Sequence, residues 1–323
     1  MPVPNGPEAG ACRPRRPGLL CNPRSGRLAR RSSVLREVAK GFPGGLYREA
    51  CDPAAIGQAC RELVGEGADI IIVLGGDGTL QAVLDQVLLA AGATSPPLAV
   101  VPCGSTNMTA IDLGCGRAPG RILGDLRQRL LRDENIPLAA RPVLRVHPGS
   151  RPPLYGMFFG MGIIATGVRY FRERVRGRGL TGETASAIAL LRMLFRLVGG
   201  RSAPLQVRYS EDQGPVIDGS LLLLFASTLD RLLLGMRPYW GREQAPMHVT
   251  AIRDRPRQLW RSLPPLARGR GDRLDEHDFR SRNLHTLELE FDGDFVLDGE
   301  IHAGQPGQSL RIDTAGPVRF AIP

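Results

Sequence analysis

Lysine is almost absent: Lys40 is the only one among 42 basic residues, set against 32 acidic residues for a net charge of +10. That balance suits polyanionic partners, whether nucleic acid, nucleotide phosphates or an anionic membrane surface. Arginine in place of lysine throughout also follows from a GC-rich coding sequence. Aromatic residues make up only 5% of the 323 positions and do not interleave with the arginines as base-stacking platforms require, which sets nucleic acid aside as a partner. No apolar run approaches a membrane span; the best stretch, Ser186–Val198, is cut by Arg192 and Arg196. The opening Met1–Pro17 is rich in Pro, Gly and Arg and has no apolar centre, so it is not a secretion signal. Residues 1–16 read as a flexible leader on a cytoplasmic protein.

The six cysteines (Cys12, Cys21, Cys51, Cys60, Cys103 and Cys115) form no CxxC pair, and no His spacing completes a zinc set. Without export they are expected to be reduced thiols, and with no partnering His they are not candidates for a nucleophile. Neither GxxxxGK[ST] nor GxGxxG after a strand occurs, which excludes the P-loop and the dinucleotide fingerprint. There are no internal repeats.

What is present has the composition of a globular protein, 42% hydrophobic and 23% charged, with room for two domains. The first half alternates strands and helices. Gly18–Cys21 is a short strand followed by the turn Asn22-Pro23-Arg24-Ser25-Gly26, a helix through Leu28, Leu35 and Val38, and a second helix over about Pro53–Gly65. Asp69–Leu74 is a β-branched run of the kind found in buried parallel strands, and it empties into Gly75-Gly76-Asp77-Gly78-Thr79 and a helix bearing Leu80, Val83, Leu84, Val87 and Leu88. Leu98–Val101 is a third strand, ending in Pro102-Cys103-Gly104-Ser105-Thr106-Asn107. Strands that each run into a Gly-containing loop predict an open α/β sheet with a cleft at their carboxyl ends.

Beyond about Arg132–Arg141 the texture changes. Short alternating stretches at Pro142–His147, Leu154–Met161, Leu205–Tyr209, Ser220–Ala226, His248–Ile252, His285–Phe291, Phe295–Leu297 and Leu310–Ile312 predict a β-rich domain, a β-sandwich, with helices at Thr184–Val198 and about Arg257–Leu266. Arg268–Arg282 is highly charged and reads as a mobile loop. The expected division is 17–140, joined by about 306–323, for the α/β domain and 141–305 for the β-rich one. Residues 1–140 hold 16 basic and 13 acidic residues, and 141–323 hold 26 and 19, so the charge excess lies mainly in the second half.

The loop Gly75–Thr79 carries the most chemistry. Successive glycines let backbone N–H groups turn toward an oxyanion, and the following helix adds its positive N-terminus. Asp77 in that position would repel phosphate unless a cation intervened, which implies Mg²⁺ held by Asp77, directly or through water. Thr79 would cap the helix or touch phosphate. Each of the three loops alone is compatible with an ordinary turn. Together, in this order, they converge on one cleft.

These strings, with Leu297-Asp298-Gly299-Glu300 near the end, resemble the diacylglycerol kinase catalytic-domain family, the bacterial soluble lipid kinases related to sphingosine and ceramide kinases. The resemblance runs over roughly residues 17–323. It implies an N-terminal α/β nucleotide-binding domain of the kind shared with NAD kinases, a C-terminal β-sandwich holding the lipid site, and a last strand returning to the first domain. It also implies transfer of the γ-phosphoryl group of ATP, with Mg²⁺, to a lipid hydroxyl at the inner face of a membrane. The nucleotide-binding positions fall on Asn22, Pro23, Ser25 and Gly26, on Gly75, Gly76, Asp77, Gly78, Thr79 and Leu80, and on Gly104, Ser105, Thr106 and Asn107. The general base of the late motif falls on Glu300, with Asp77 as the second catalytic residue. A carboxylate there fits the chemistry, since phosphoryl transfer is mostly positioning plus one acceptor for the hydroxyl proton. Asp298 and Glu300 alternate and so are expected to point the same way. A plain hairpin turn is the competing reading, because Asp292-Gly293 just upstream has the look of one.

The sequence departs from the family pattern in three places. Gln81 and Ala82 stand where Asn-Glu is usual, the stretch Arg48–Asp52 lacks the expected Thr, and Gln244-Ala245-Pro246-Met247 has no Asp for a second, structural Mg²⁺. NAD kinases share the Gly-Gly-Asp-Gly-Thr loop and are the alternative, but their Gly- and Ser-rich NAD segment is not found here. A lipid- or nucleotide-binding homologue without full activity is the third reading. For membrane contact, Thr184–Val198 has the pattern of an interfacial helix, and the run Arg169–Arg178 suits phosphate or headgroups.

Overall fold

The computed structural model describes residues 8–89, 95–170, 204–305 and 307–323. It divides into two compact units, one comprising Met1–Arg141 with Gly316–Pro323 and the other Pro142–Ala315.

The first unit contains β1 (Glu8–Cys12), β2 (Pro17–Cys21), α1 (Gly26–Lys40), β3 (Leu46–Glu49), α2 (Pro53–Gly65), β4 (Ile70–Gly75), α3 (Asp77–Leu89), β5 (Leu98–Pro102), α4 (Met108–Asp112), α5 (Pro119–Leu131) and the start of β6 (Ile136–Pro148). Four strands pair in parallel in the order β3-β2-β4-β5, with Leu19 opposite Tyr47 on one side and Ile72 on the other. The order reverses between β2 and β4, which makes their carboxyl ends the crevice of the sheet. Leu19, Leu20, Ile71, Ile72, Leu74, Leu98 and Ala99 are fully buried, as strands covered on both faces require. Local chemistry starts the helices: the Asp52 carboxylate accepts the Ala55 N–H at 2.9 Å and Pro53 opens α2, whose Ile56, Ala59, Cys60 and Leu63 turn inward.

The expected leader is in part structured. Glu8–Cys12 forms β1 and pairs antiparallel with β6, Cys12 opposite Ile136. The Arg15 and Arg16 N–H groups then donate to the Asp69 carboxylate at 2.7 and 3.1 Å. The pairing is tertiary and leaves no hydrophobic period in this Pro- and Gly-rich stretch.

The second unit adds β7 (Leu154–Gly156), β8 (Phe158–Gly162), α6 (Ile163–Tyr170), β9 (Leu205–Glu211), β10 (Ile217–Ser227), β11 (Met247–Arg253), α7 (Leu259–Ala267), β12 (Phe279–Leu284), β13 (Leu287–Phe291), β14 (Phe295–Leu297), β15 (Glu300–His302) and most of β16 (Gln308–Ala321). Its strands pair antiparallel in the order β15-β14-β8-β10-β9-β13-β16, with β11 between β10 and β12. Alternate residues such as Phe159, Leu224, Met247, Leu289, Phe295 and Leu310 build one core. A C-terminal strand-rich unit thus follows an α/β unit.

Arg268–Arg282, expected as a mobile loop, instead contains a 3₁₀ turn at Gly271–Arg273 and the first residues of β12. Asp292-Gly293 is not a hairpin either, because β13 pairs with β9 and β16 whereas β14 pairs with β8 and β15. The expected helix Thr184–Val198, and residues 171–178 of the arginine run, lie outside the described residues.

Candidate functional site

Three loops meet at the carboxyl ends of β2, β4 and β5. The Asn22 N–H donates to the Leu74 carbonyl at 3.0 Å, and its side-chain Nδ2 donates to Thr79 Oγ1 at 2.9 Å. Asn22 Oδ1 accepts the Arg24 N–H at 3.0 Å, so this one side chain shapes the first loop and ties it to the second across the crevice. The second loop is fastened to the third by the Cys103 N–H, which donates to the Gly75 carbonyl at 2.8 Å. Gly76 and Gly104 pass so closely that a Cβ on Gly104 would lie 2.5 Å from the Gly76 Cα. The obstacle is backbone and cannot rotate away, so glycine is required there for close approach. The first loop also adjoins the third, since a Cβ on Gly26 would sit 3.6 Å from Ser105 Oγ.

Asn107 clasps the third loop. It has a left-handed backbone (φ 50°), its Oδ1 accepts the Gly104 N–H at 2.7 Å, and its Nδ2 donates to the Gly104 carbonyl at 2.9 Å. Ser25, Gly75, Thr79, Leu80, Gly104 and Asn107 are buried, whereas Asn22, Pro23, Gly26, Gly76, Gly78, Ser105 and Thr106 remain partly exposed. The solvent side of this crevice is therefore mostly backbone and small side chains. Ser25 is extended before α1 and makes no side-chain cap, and the first turn of α1 has no acidic residue. The 15-residue helix α1 thus starts beside this crevice with no cap from Ser25.

Asp77 has a different position from the one its spacing suggests. It is buried, its Oδ2 accepts the Thr106 hydroxyl at 2.6 Å and the Met108 N–H at 3.2 Å, and its Oδ1 accepts the Thr109 N–H at 3.3 Å. The carboxylate thus holds the start of α4 against the glycine loop. Burial pushes its pKa above the ordinary carboxylate value, while these hydrogen bonds act in the opposite direction. A divalent cation needs carboxylate oxygens open toward solvent or phosphate, and both oxygens of Asp77 already face internal donors. Among the described residues no group of three or more His, Cys, Asp or Glu is arranged to hold a metal. These bonds make Asp77 a positioning residue for the loops, and a direct Mg²⁺ bond to it would compete with internal donors.

The late motif lies in the second unit and splits in two. Leu297 pairs with Glu300 across β14 and β15, so Asp298 and Gly299 are the two-residue turn of a hairpin. Both have positive φ, 46° and 85°, the combination of a type I′ turn, for which Asp-Gly is a preferred sequence. Asp298 is buried and its carboxylate accepts the Met157 N–H at 2.9 Å and the Phe158 N–H at 2.9 Å. Glu300 is exposed at the start of β15. The two carboxylates are thus not a pair pointing one way: Asp298 turns inward to fix the hairpin on β8, and Glu300 faces outward. The competing hairpin-turn reading of the late motif is thus the one the pairing bears out, whereas the clasp made by Asn107 is not reached from sequence, although an Asn just before a helix is the signal that marks it.

Residues 16–136 match the diacylglycerol kinase catalytic domain family, which bears out the resemblance over that span. No curated protein matches the sequence. Among solved structures, a diacylglycerol kinase from Bacillus anthracis strain Sterne superposes with a TM-score of 0.63 at 13% identity, covering 97% of this chain and 98% of that one. Two further structures from the same strain, assigned provisionally as diacylglycerol kinases, give TM-scores of 0.63 and 0.61 at 15% and 16% identity with the same coverage. At such identities the likeness establishes the fold, α/β followed by a strand-rich unit, over nearly the whole chain.

Proposed function

We propose that this chain, with a kinase catalytic domain at residues 16–136, transfers the γ-phosphoryl group of ATP to the hydroxyl of a lipid. The observation that carries the reading is the convergence of three small-residue loops at the β2/β4 reversal within the family-matching segment. An array of glycine backbone beside the N-terminus of α1 suits phosphate oxygens, because N–H groups and helix dipole both favour negative charge there. Asn22, Asp77 and Asn107 act by holding the loops in place. The exposed Glu300 is the general base: its carboxylate takes the acceptor proton as the new O–P bond forms and ADP leaves with the electron pair of the broken bond. Because positioning supplies most of the rate in phosphoryl transfer, the loop-to-loop hydrogen bonds bear directly on turnover.

Among the described residues no helix is long and apolar enough to cross a membrane. A bilayer acceptor would be met peripherally, from the cytoplasmic side. The test is to incubate purified protein with γ-labelled ATP in Mg²⁺-containing buffer, with mixed lipid micelles and separately with NAD. Label in the organic phase supports the reading. Label confined to NAD refutes it in favour of an NAD kinase, and ATP binding without transfer to either refutes it in favour of a binding protein.

A further inference from the structure

The helix α7 has two dissimilar faces. Leu259 and Leu266 pack with Ile252, Phe279 and Trp240 in a small satellite core. Trp260, Arg261, Pro264 and Arg268 recur at helical spacing on the other side and are exposed, Trp260 at 44%. From Arg255 to Gly271 the chain holds five arginines and no acidic residue. Asp254 and Asp272 flank the segment, Asp254 lying 3.6 Å from Arg255. Asp275 and Glu276 follow in the turn leading to β12, and Asp278 accepts the Arg257 N–H at 2.7 Å. The loop beside the end of this helix presents a second apolar group. The Arg237 N–H donates to the Ala267 carbonyl at 3.0 Å, which seats the 232–237 loop at the C-terminus of α7. Within that loop Leu234 is 55% exposed and sits in the left-handed region at φ 58°, a conformation that a bulky side chain rarely adopts. Folding alone gives no reason to hold a leucine outward in that geometry.

We propose that the outer face of α7 and the adjoining Leu234 loop form the surface by which the protein docks on an anionic bilayer. The inference rests on the lipid-acceptor reading above and supplies the contact that the reading requires. Charge complementarity selects the occupant: the exposed Arg261 and Arg268 on this face meet anionic headgroups, an amphipathic Trp sits at headgroup level, and a projecting leucine enters the acyl boundary. A nucleic acid would use the arginines but leave the leucine without a role.

The experiment is flotation with vesicles of phosphatidylcholine, with and without phosphatidylglycerol, on the full chain and on Arg257→Gln/Arg261→Gln, Trp260→Ser and Leu234→Ser. All four sites are exposed, so circular dichroism and melting are expected to match wild type. Wild type floats only with phosphatidylglycerol, and the double arginine variant loses about 30-fold in partitioning, near fivefold per charge. Brominated lipid quenches wild-type tryptophan emission and leaves Trp260→Ser unquenched. Variants that bind as wild type, a wild type that ignores vesicles, or a basic face engaged only by nucleic acid would overturn the proposal. Failure of the kinase reading is separable: it appears as absent label with detergent-dispersed lipid, where docking plays no part.

Discussion

Replacing Asp298 separates a structural carboxylate from a chemical one. Its side chain accepts the Met157 and Phe158 N–H groups, and its backbone holds φ at 46°. Hydrogen bonds to a charged acceptor contribute about 1.5–3 kcal/mol each, and removing the acceptor leaves the N–H groups of Met157, just before β8, and Phe158, its first residue, without it. Alanine in a left-handed turn adds about 1 kcal/mol. Asp298→Ala should therefore lose about 4–7 kcal/mol, a large share of a typical domain's stability. Asparagine tolerates the left-handed region and keeps one acceptor oxygen, so Asp298→Asn should lose only about 1–2 kcal/mol. Urea unfolding followed by circular dichroism reads both values. Turnover at a temperature where both variants are folded completes the test, and Asp298→Asn should retain most of it. A fully stable Asp298→Asn without activity would refute the structural assignment and make Asp298 a participant in the chemistry. An Asp298→Ala of wild-type stability would refute the staple itself.

Three further outcomes follow from the first unit and the motif. Gly104→Ala should force the Gly76 backbone away, costing about 1–3 kcal/mol and raising the KM for ATP more than that for lipid; steady-state kinetics in each substrate checks the split. Asp77 titrates above its unfolded value because it is buried, so wild-type stability falls as pH rises from about 4 through that raised value. Asp77→Asn lacks this titration and should gain on wild type between pH 4 and pH 7 in paired urea unfolding; an equal difference at both pH values would contradict the assignment. Asp77→Asn should also leave the Mg²⁺ concentration for half-maximal activity unchanged, whereas a shifted Mg²⁺ titration would show a metal role.

Much of the site was legible because its signals are local. The runs at Ile70–Leu74 and Leu98–Val101 are apolar enough to demand burial on both faces, and parallel strands place their following loops at one edge. Gly76 and Gly104 fall in loops expected to meet at one cleft, but their backbone-to-backbone approach is visible only in the fold. What escaped is tertiary. In β12, Phe-Arg-Ser-Arg-Asn-Leu hides a strand because its inward positions include Ser281 and Asn283, which are polar yet satisfied by Trp240, Thr250, His248 and the 241–243 backbone. The internal bonds of Asp77 were not legible because its spacing from the loop glycines says nothing of α4. Only the fold brings Thr106, Met108 and Thr109 to it. A hairpin turn, the competing reading of the late motif, is what Asp298-Gly299 forms, while the analogue upstream that suggests it, Asp292-Gly293, joins strands that do not pair.

The central claim is phosphoryl transfer to a lipid hydroxyl with Glu300 as base. It is tested most directly by following γ-label from ATP into extracted lipid for wild type and Glu300→Gln, with ATP affinity measured on the same samples. The account predicts a phosphomonoester of the added lipid from wild type, and from Glu300→Gln a loss of at least about 100-fold in rate with ATP affinity unchanged. Equal rates for the two proteins, or no labelled lipid from wild type, would contradict it.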